Sequence, residues 1–164
     1  MIVLGIDPGI ANVGVGIVQK VPKKYKLIHH SVVTTKASQE HSVRLDHIFN
    51  TLSDTIEEYK PKIVVMESLF FAVNARSAMT VGKAMGAISL SASTLKVPIV
   101  EYTPLQIKKY LCGYGRAKKP EVQATVMKLL KLKKIPTPQH AADAIAAALT
   151  YFEMNAKNTA KTNK

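Results

Sequence analysis

Three acidic residues lie where carboxylates on separate elements could meet. Asp7 and Glu67 each end a short apolar run, and Asp143 lies in an alanine-rich segment that offers its side chain no polar neighbour. Carboxylates that converge repel one another, which raises their pKa values unless a cation joins them. Mg²⁺ is a hard cation that prefers oxygen ligands, so the three acids predict a magnesium site. Taken alone, an acid at a strand end such as Asp7 is equally well interpreted as a turn or cap residue.

His140 adds a fourth side chain to this candidate site. It precedes Asp143 by three residues, so on a helix the two side chains share a face. The imidazole could bind the metal or hold the attacking water, whereas a histidine at a helix start is more often a cap or surface residue. Two metal ions held by such a group would hydrolyse a phosphodiester, because one activates a water and the other stabilises the leaving oxygen.

The charge of the chain indicates a polyanionic partner. The 164 residues include 23 Lys and Arg against 11 Asp and Glu, a net charge of +12. Nine of the basic residues lie between Lys108 and Lys134, where Glu121 is the single acid. Such a segment would neutralise phosphates of a nucleic acid and release counterions. The plainer interpretation is the solvated face of a basic helix.

The first part of the chain predicts strands. Three consecutive segments with short connections imply an antiparallel meander: Ile2–Asp7, Val13–Gln19 and part of Tyr25–Thr35. In the second strand, Gly14 and Gly16 leave one face without side chains, which predicts close approach by another group. We expect the DNA backbone to come near this face, beside Asp7.

Helices and two further strands follow in alternation. The continuous apolar run Ile63–Met66 indicates a strand buried on both faces, and Val97–Tyr102 indicates another. Spacing and capping residues predict helices at Gln39–Tyr59 with Ser38 as cap, at Asn74–Leu95, from Thr103-Pro104, at Lys119–Leu132, and from Thr137-Pro138 to about Met154. This order of elements favours a mixed α/β sheet covered by helices on both faces.

The length suits one domain, which we place at residues 1–154, followed by a basic tail at 155–164 that we expect to be disordered. Cys112 is the one cysteine, so no disulfide can form within the chain. The start lacks the regions of a signal peptide, and no apolar run reaches the roughly 18 residues that a membrane span needs. These features predict a cytoplasmic protein.

Four segments together resemble the RuvC-type Holliday junction resolvases. They are, in order, GIDPG at Gly5–Gly9, VVMESLFF at Val64–Phe71, NARSAMTVGKAMG at Asn74–Gly86 and HAADAIAAAL at His140–Leu149. The first segment alone is shared with sugar-kinase and actin-like ATPases, whereas the set of four is specific. The match extends from Met1 to about Phe152.

The resemblance implies a ribonuclease H-like fold with a five-stranded mixed sheet flanked by helices. It implies a Mg²⁺-dependent endonuclease that resolves four-way DNA junctions by paired nicking of two opposed strands during recombination and repair. It also implies two ions per subunit with Mn²⁺ as a substitute, a homodimer, and a branch-migration helicase complex of the RuvA and RuvB type. Asp7, Glu67 and Asp143 match the family's catalytic and metal-binding carboxylates, and His140 matches a position that holds Asp or His.

Further positions resemble residues that contact DNA. Phe70 matches an aromatic beside the active site that wedges against bases, where stacking could contribute about 1–3 kcal/mol. The other interpretation of Phe70 is a core residue. Lys108 and Lys119 match basic positions implicated in phosphate binding, and Arg116 and Lys118 of the same segment extend the set.

Three positions depart from the family pattern. Ile10 and Val13 stand where the family often has Ser and Thr, and Met85 stands where Arg is common. These replacements remove potential DNA contacts and leave the metal site intact. The small-residue helix Asn74–Leu95 follows Glu67 and is a candidate dimer interface.

Three other functions compete with a junction-resolving nuclease. A junction-binding protein without turnover would keep the basic surface but gain nothing from acids aimed at phosphates. An actin-like ATPase needs a two-domain cleft, for which the chain is too short. A ribonuclease acting on RNA–DNA hybrids would share the fold and the carboxylates, so only a comparison of substrates separates it.

Overall fold

The computed structural model describes residues 1–68 and 75–162. Its elements are, in chain order, β1 (Ile2–Asp7), β2 (Asn12–Val21), β3 (Lys24–Thr34), α1 (His41–Tyr59), β4 (Ile63–Glu67), α2 (Ala75–Thr94), β5 (Ile99–Tyr102), α3 (Pro104–Cys112), α4 (Lys119–Leu130) and α5 (Gln139–Thr162). Phe70 and Asn74 lie outside the described residues.

The strands form one five-stranded mixed sheet in the order β3-β2-β1-β4-β5. The first three strands pair antiparallel, which confirms the predicted meander. β4 pairs parallel with β1, and β5 pairs parallel with β4. The centre of the sheet is therefore β1, whose two neighbours run in opposite directions.

Helices cover both faces of this sheet, as the alternation of elements predicted. On one face, Leu4, Ile6 and Val64 pack with residues of α1 and α2. On the other face, Val3 and Val65 pack with residues of α3, α4 and α5. Because side chains alternate along a strand, residues 3, 5 and 7 of β1 and residues 63, 65 and 67 of β4 point toward α5.

Three glycines let α5 lie directly on the sheet. A Cβ at Gly5 would lie 1.9 Å from the carbonyl oxygen of Ala144, and one at Gly16 would lie 2.7 Å from the backbone nitrogen of Ile145. At Gly14 the same atom would lie 2.0 Å from the carbonyl oxygen of His140. The prediction that another group approaches the glycine face (Gly5, Gly14 and Gly16) is therefore confirmed, but the prediction that this group is the DNA backbone is wrong. The face holds the backbone of α5 and has no room for DNA.

Several predicted boundaries shift. α1 begins at His41 with Glu40 as its N-cap and no side-chain cap, so the cap predicted at Ser38 is wrong. Thr103 does cap α3, since its hydroxyl accepts from the backbone N–H of Gln106. β5 begins at Ile99 and not at Val97.

The last helix is longer than its predicted end near Met154. α5 continues to Thr162, through most of the segment 155–164 for which the composition predicted disorder. The Asn155 side chain donates to the carbonyl oxygen of Tyr151, which keeps this residue within the helical pattern. The alanines of this segment also favour a helix. Within residues 1–68 and 75–162, no helix is both long and apolar enough to cross a membrane.

Candidate active site

Asp7 and Glu67 lie side by side at the ends of the two central parallel strands. The register pairs Ile6 with Met66, so the next residue of each strand is one of the two acids. Alternation turns both side chains toward α5. The sequence placed each acid at a strand end, and the parallel pairing brings the two ends together.

α5 brings the third acid and the histidine to this edge. Gly14 pairs with Asp7 across β1 and β2. The first turn of α5 lies on the sheet at this point, with the backbone of His140 directly over Gly14. Asp143 follows less than one turn later on the same helix. A side chain at position 14 would push the helix away from Asp7, so the glycine is part of what assembles the site.

His140 is hydrogen-bonded to Asp7. The imidazole Nδ1 lies 2.7 Å from Oδ2 of Asp7. Because an ionised carboxylate can only accept, Nδ1 donates in this contact. The Asp7 side chain is 18% exposed and that of His140 is 44% exposed, so the contact fixes a mostly buried carboxylate from its solvent side.

Asp143 forms an ion pair with Lys119. The Nζ atom lies 2.7 Å from Oδ2, with the lysine and aspartate side chains 40% and 26% exposed. The sequence neighbours of Asp143 are alanines, and from them we expected a carboxylate without polar company. The partner comes instead from the first residue of α4, which is 24 residues earlier in the chain.

The electrostatics of the site favour a bound cation. Burial, followed by the charges of Asp7 and Asp143, raises the pKa of Glu67 to about 7. Burial also raises the pKa of Asp7, although the hydrogen bond from His140 opposes this shift. Asp7 and Glu67 thus resist ionisation beside Asp143, and a cation between the three groups would stabilise their ionised forms.

A cavity of about 240 Å³ opens between these residues. Its charged lining consists of Glu67, Asp143, Lys108 and Lys119, and its apolar lining includes Ile107 and Val122. Lys108 and Lys119 also lower the pKa of Glu67 through their charge. A cavity that places two lysines beside two carboxylates can hold a phosphate and a cation together.

The carboxylate oxygens are suitable ligands for a divalent metal, but the side chains do not surround a common point where one ion would bind. Within the described residues, no three His, Cys, Asp or Glu side chains are arranged to hold a metal ion. Lys119 and His140 occupy oxygens of Asp143 and Asp7 that would be the ligands. Carboxylate oxygens are the ligands that hard cations such as Mg²⁺ take, so the chemistry fits while the metal-ligand roles stay predictions.

The other predicted DNA contacts are placed differently. Arg116 and Lys118 are exposed in the connection before α4 and do not line the cavity. Phe70 lies outside the described residues. All three departures from the family pattern pack on the face of the sheet that α1 and α2 cover: Val13 is fully buried in that core, and Ile10 and Met85 are partly buried against it.

Comparison with known proteins identifies the family. A family model described as crossover junction endodeoxyribonuclease RuvC matches residues 3–151. The chain belongs to the RuvC family. The RuvC of Natranaerobius thermophilus is 44% identical over 153 residues, which cover 93% of this chain and 95% of that protein.

Solved structures of RuvC have the same fold. Thermus thermophilus RuvC superposes with a TM-score of 0.90 at 37% identity, covering 97% of this chain and 98% of that one. T. thermophilus RuvC in complex with a Holliday junction substrate gives a TM-score of 0.89 at 38% identity, over 94% of this chain and 96% of that one. The ribonuclease H-like fold expected from the resemblance is confirmed.

Two features of this RuvC site were missed in the sequence. Gly5 completes the glycine face, and its alternation with Leu4 and Ile6 is the signal that could have shown this. The pairing of Lys119 with Asp143 has no local signal, because the two residues lie on different helices. The basic segment was interpreted as a DNA contact or as a solvated helix face, yet one of its lysines, Lys119, pairs with Asp143.

Proposed function

We propose that this chain is a divalent-metal-dependent endonuclease that resolves four-way DNA junctions. The observation that carries the proposal is the convergence of Asp7, Glu67 and Asp143, from three elements, beside a cavity that also holds Lys108 and Lys119. Membership of the RuvC family supports this activity. The T. thermophilus relative that shares the fold is known in complex with a Holliday junction substrate, which supports the choice of DNA.

The chain's own groups divide the work of phosphodiester hydrolysis. The carboxylates of Asp7, Glu67 and Asp143 would hold the metal, and Lys108 and Lys119 would bind the phosphate at the cavity. Divalent cations bound there supply a water of lowered pKa and stabilise the leaving oxygen. His140 holds Asp7 in one orientation through its hydrogen bond, which also opposes the rise in the pKa of Asp7 that burial causes.

Replacement of one carboxylate tests this assignment. Asp7→Asn should abolish cleavage of a synthetic four-way junction in Mg²⁺ while binding, measured by gel shift in EDTA, persists. Asp46→Asn is the matched control, because Asp46 is exposed on α1 and bonds only Asn50 among the hydrogen bonds described. Cleavage by Asp7→Asn at the parental rate would remove Asp7 from the site.

The choice of substrate distinguishes a junction-resolving nuclease from a ribonuclease and from a junction-binding protein without activity. The parent enzyme should nick the four-way junction and leave a linear duplex and an RNA–DNA hybrid of the same sequence largely intact. Preferential cleavage of the hybrid would instead indicate a ribonuclease. Binding of the junction without any nicking, over a range of Mg²⁺ and Mn²⁺ concentrations, would indicate a junction-binding protein.

We also propose that the active form is a homodimer joined through α2. This helix presents Met79 and Leu90 at 69% and 59% exposure, and an added Cβ at Gly82 or Gly86 would meet no atom of the described part of the chain within 4 Å. Small residues beside exposed apolar ones let a second helix approach closely. Leu90→Glu should therefore produce a monomer in sedimentation and replace paired nicking by isolated single nicks. Lys83→Glu, an exposed change on the same helix, distinguishes loss of apolar contact from added charge.

The remaining expectations stay part of the proposal. They are two Mg²⁺ ions per subunit with Mn²⁺ as substitute, cooperation with a RuvA- and RuvB-type helicase complex, and a cytoplasmic location. Calorimetric titration of the parent and of Asp143→Asn with Mg²⁺ would count the ions, since loss of a shared ligand should remove at least one binding event.

A further inference from the structure

A second cavity lies far from the carboxylates, under the C-terminal ends of α1 and α2. It has a volume of about 440 Å³, within the range of roughly 300–1,000 Å³ that is typical of ligand sites. Its apolar walls come from the end of α1, the link between α1 and β4, and the link between α2 and β5: Ile56, Pro61, Leu95, Val97 and Pro98. Ile56 is 4% exposed, so the floor of the cavity is continuous with the core.

This cavity and the candidate active site lie at opposite ends of the strands: the cavity lies where β4 begins, and the active site lies where β4 ends. Lys62 precedes β4 and lines the cavity, whereas Glu67 ends the same strand at the catalytic edge. Lys62 and Glu67 are five positions apart along extended chain, a distance of roughly 16 Å. A DNA phosphate held at Lys108 and Lys119 therefore does not reach it.

The rim of the cavity is basic. Lys60, Lys62 and Lys96 are all exposed there, against the single acid Glu57. Lys60 and Lys96 follow α1 and α2 in left-handed backbone conformations, with φ of 48° and 57°. The negative ends of the two helix dipoles explain why lysine is favourable at these two positions. They do not explain Lys62, which lies outside any helix, or the apolar cavity between the three lysines.

We propose that this cavity binds an acidic peptide segment of a partner protein, which inserts one apolar side chain between the walls while its carboxylates contact the three lysines. The combination of an apolar pocket with a basic rim is what distinguishes this partner from nucleic acid. A duplex would pair its phosphates with the lysines but has no flexible apolar group to fill the pocket. A peptide with both groups satisfies the rim and the walls together.

The probe is a short fluorescein-labelled peptide in which aspartates flank one phenylalanine, titrated with the full-length protein and followed by anisotropy. Two peptides serve as controls, one with Phe replaced by Ser and one with Asp replaced by Asn. Both should bind at least about tenfold more weakly than the probe, because each loses one of the two recognition elements. Binding of the Phe-to-Ser peptide as tightly as the probe would mean simple charge attraction and would overturn the proposal.

Protein variants locate the site. Lys62→Glu with Lys96→Glu should reduce probe affinity by about tenfold or more, and the milder pair Lys62→Gln with Lys96→Gln should reduce it less. Lys128→Glu, an exposed reversal on α4, should leave probe binding unchanged. The variants at Lys62 and Lys96 should retain junction cleavage, which shows that they are folded, and an unchanged thermal unfolding midpoint serves the same purpose for Lys128→Glu. Displacement of the probe from the parent by a linear DNA duplex would assign the surface to nucleic acid and overturn the proposal, as would equal loss of binding in Lys128→Glu.

Discussion

The ammonium group of Lys119 lies 2.7 Å from Oδ2 of Asp143. Its charge also opposes the rise in pKa that burial causes at Asp7 and Glu67. One lysine therefore offsets the charge of all three carboxylates at the edge of the sheet. It occupies an oxygen that a metal ion would need, so the lysine and the cation compete for Asp143. The same lysine lines the cavity, where a phosphate would draw it away from the carboxylate.

Lys119→Met should strengthen Mg²⁺ binding in the absence of DNA while it weakens cleavage of the junction. Removal of the competing ammonium frees Oδ2 of Asp143 for the metal, so Mg²⁺ affinity should rise by up to about fivefold, the equivalent of roughly 1 kcal/mol for a partly exposed pair. Calorimetric titration of the free protein measures the affinity, and single-turnover cleavage measures the loss of phosphate binding.

The neighbouring Lys118→Met is the matched control for this change. Lys118 is exposed and caps α4 through its backbone, whose N–H donates to Glu121. Its removal takes away the same unit of charge without freeing Asp143, so Mg²⁺ affinity should stay near that of the parent. An equal rise in both variants would show that overall charge, and not the contact with Asp143, controls metal binding.

Glu67 should make the metal-free protein less stable as the pH rises. Its pKa in the folded protein is about 7, above the ordinary value of 4.5, so the folded state holds the proton more tightly than the unfolded chain. The contribution of Glu67 to the free energy of unfolding is therefore most favourable below pH 4.5, falls as the pH rises from 4.5 to 7, and stays at its lowest value above 7. Glu67→Gln should raise the free energy of unfolding at pH 8 by about 1–3 kcal/mol.

Urea unfolding in EDTA at pH 5 and pH 8 tests this effect. The advantage of Glu67→Gln should be large at pH 8 and small at pH 5, and Mg²⁺ should reduce it by stabilising the parent. Glu101→Gln serves as control, because Glu101 is exposed on β5 and should change stability little at either pH. A constant difference between Glu67→Gln and the parent across this range would mean that Glu67 ionises normally.

The positions of Asp7 and Glu67 were predictable because they depend on local pattern. Each follows an apolar run, and side-chain alternation sends it to one known face of its strand. Asp143 was predictable as an acid on a buried helix. No local pattern shows that α5 crosses the sheet at this place. The crossing depends on glycines of two different strands, β1 and β2, that contact the same helix.

The contacts that set the charges of the site were the least predictable. Lys119 and Asp143 are 24 residues apart on different helices, and His140 and Asp7 are 133 residues apart. No spacing rule joins residues at such separations, so Lys119 was predicted as a phosphate-binding residue and not as a partner of Asp143. The glycine face shows the same limit, since absent side chains predicted a close neighbour without saying whether it was DNA or α5.

His140 should act through Asp7, and its loss should change the pH dependence of cleavage. The hydrogen bond from His140 opposes the rise in the pKa of Asp7 that burial causes. In His140→Ala the pKa of Asp7 should rise further, so the acidic limb of the pH–rate profile should move to higher pH. The rate at neutral pH should fall by about a hundredfold or more.

His47→Ala provides the comparison for His140→Ala, because His47 is exposed on α1, away from the carboxylates. It should leave both the rate and the pH profile unchanged. His140→Gln, which can still donate to Asp7, should recover part of the lost rate. A fall in rate for His140→Ala without any movement of the profile would argue that the histidine acts on something other than Asp7.

Gly14→Ala should disassemble the site without removing any of its functional groups. The added Cβ would lie 2.0 Å from the carbonyl oxygen of His140 and 3.1 Å from Cβ of Asp7, and backbone atoms of a helix cannot give way as a flexible side chain can. α5 must shift from the sheet, so unfolding should become easier by about 1–3 kcal/mol, the usual cost of overpacking. Cleavage should fall further than stability explains, because the shift separates His140 from Asp7.

Gly86→Ala tests whether this cost comes from contact or from the loss of a glycine. Gly86 lies inside α2, and an added Cβ there meets nothing within 4 Å among residues 1–68 and 75–162. Alanine in a helix interior is favoured over glycine by about 0.5–1 kcal/mol, so this variant should be more stable than the parent in thermal unfolding at low protein concentration. Lower stability of Gly14→Ala together with higher stability of Gly86→Ala would tie the cost to the contact between position 14 and α5. Full activity in Gly14→Ala would mean that His140 and Asp7 reach each other without the glycine, and that the position of α5 on the sheet is not what assembles the site.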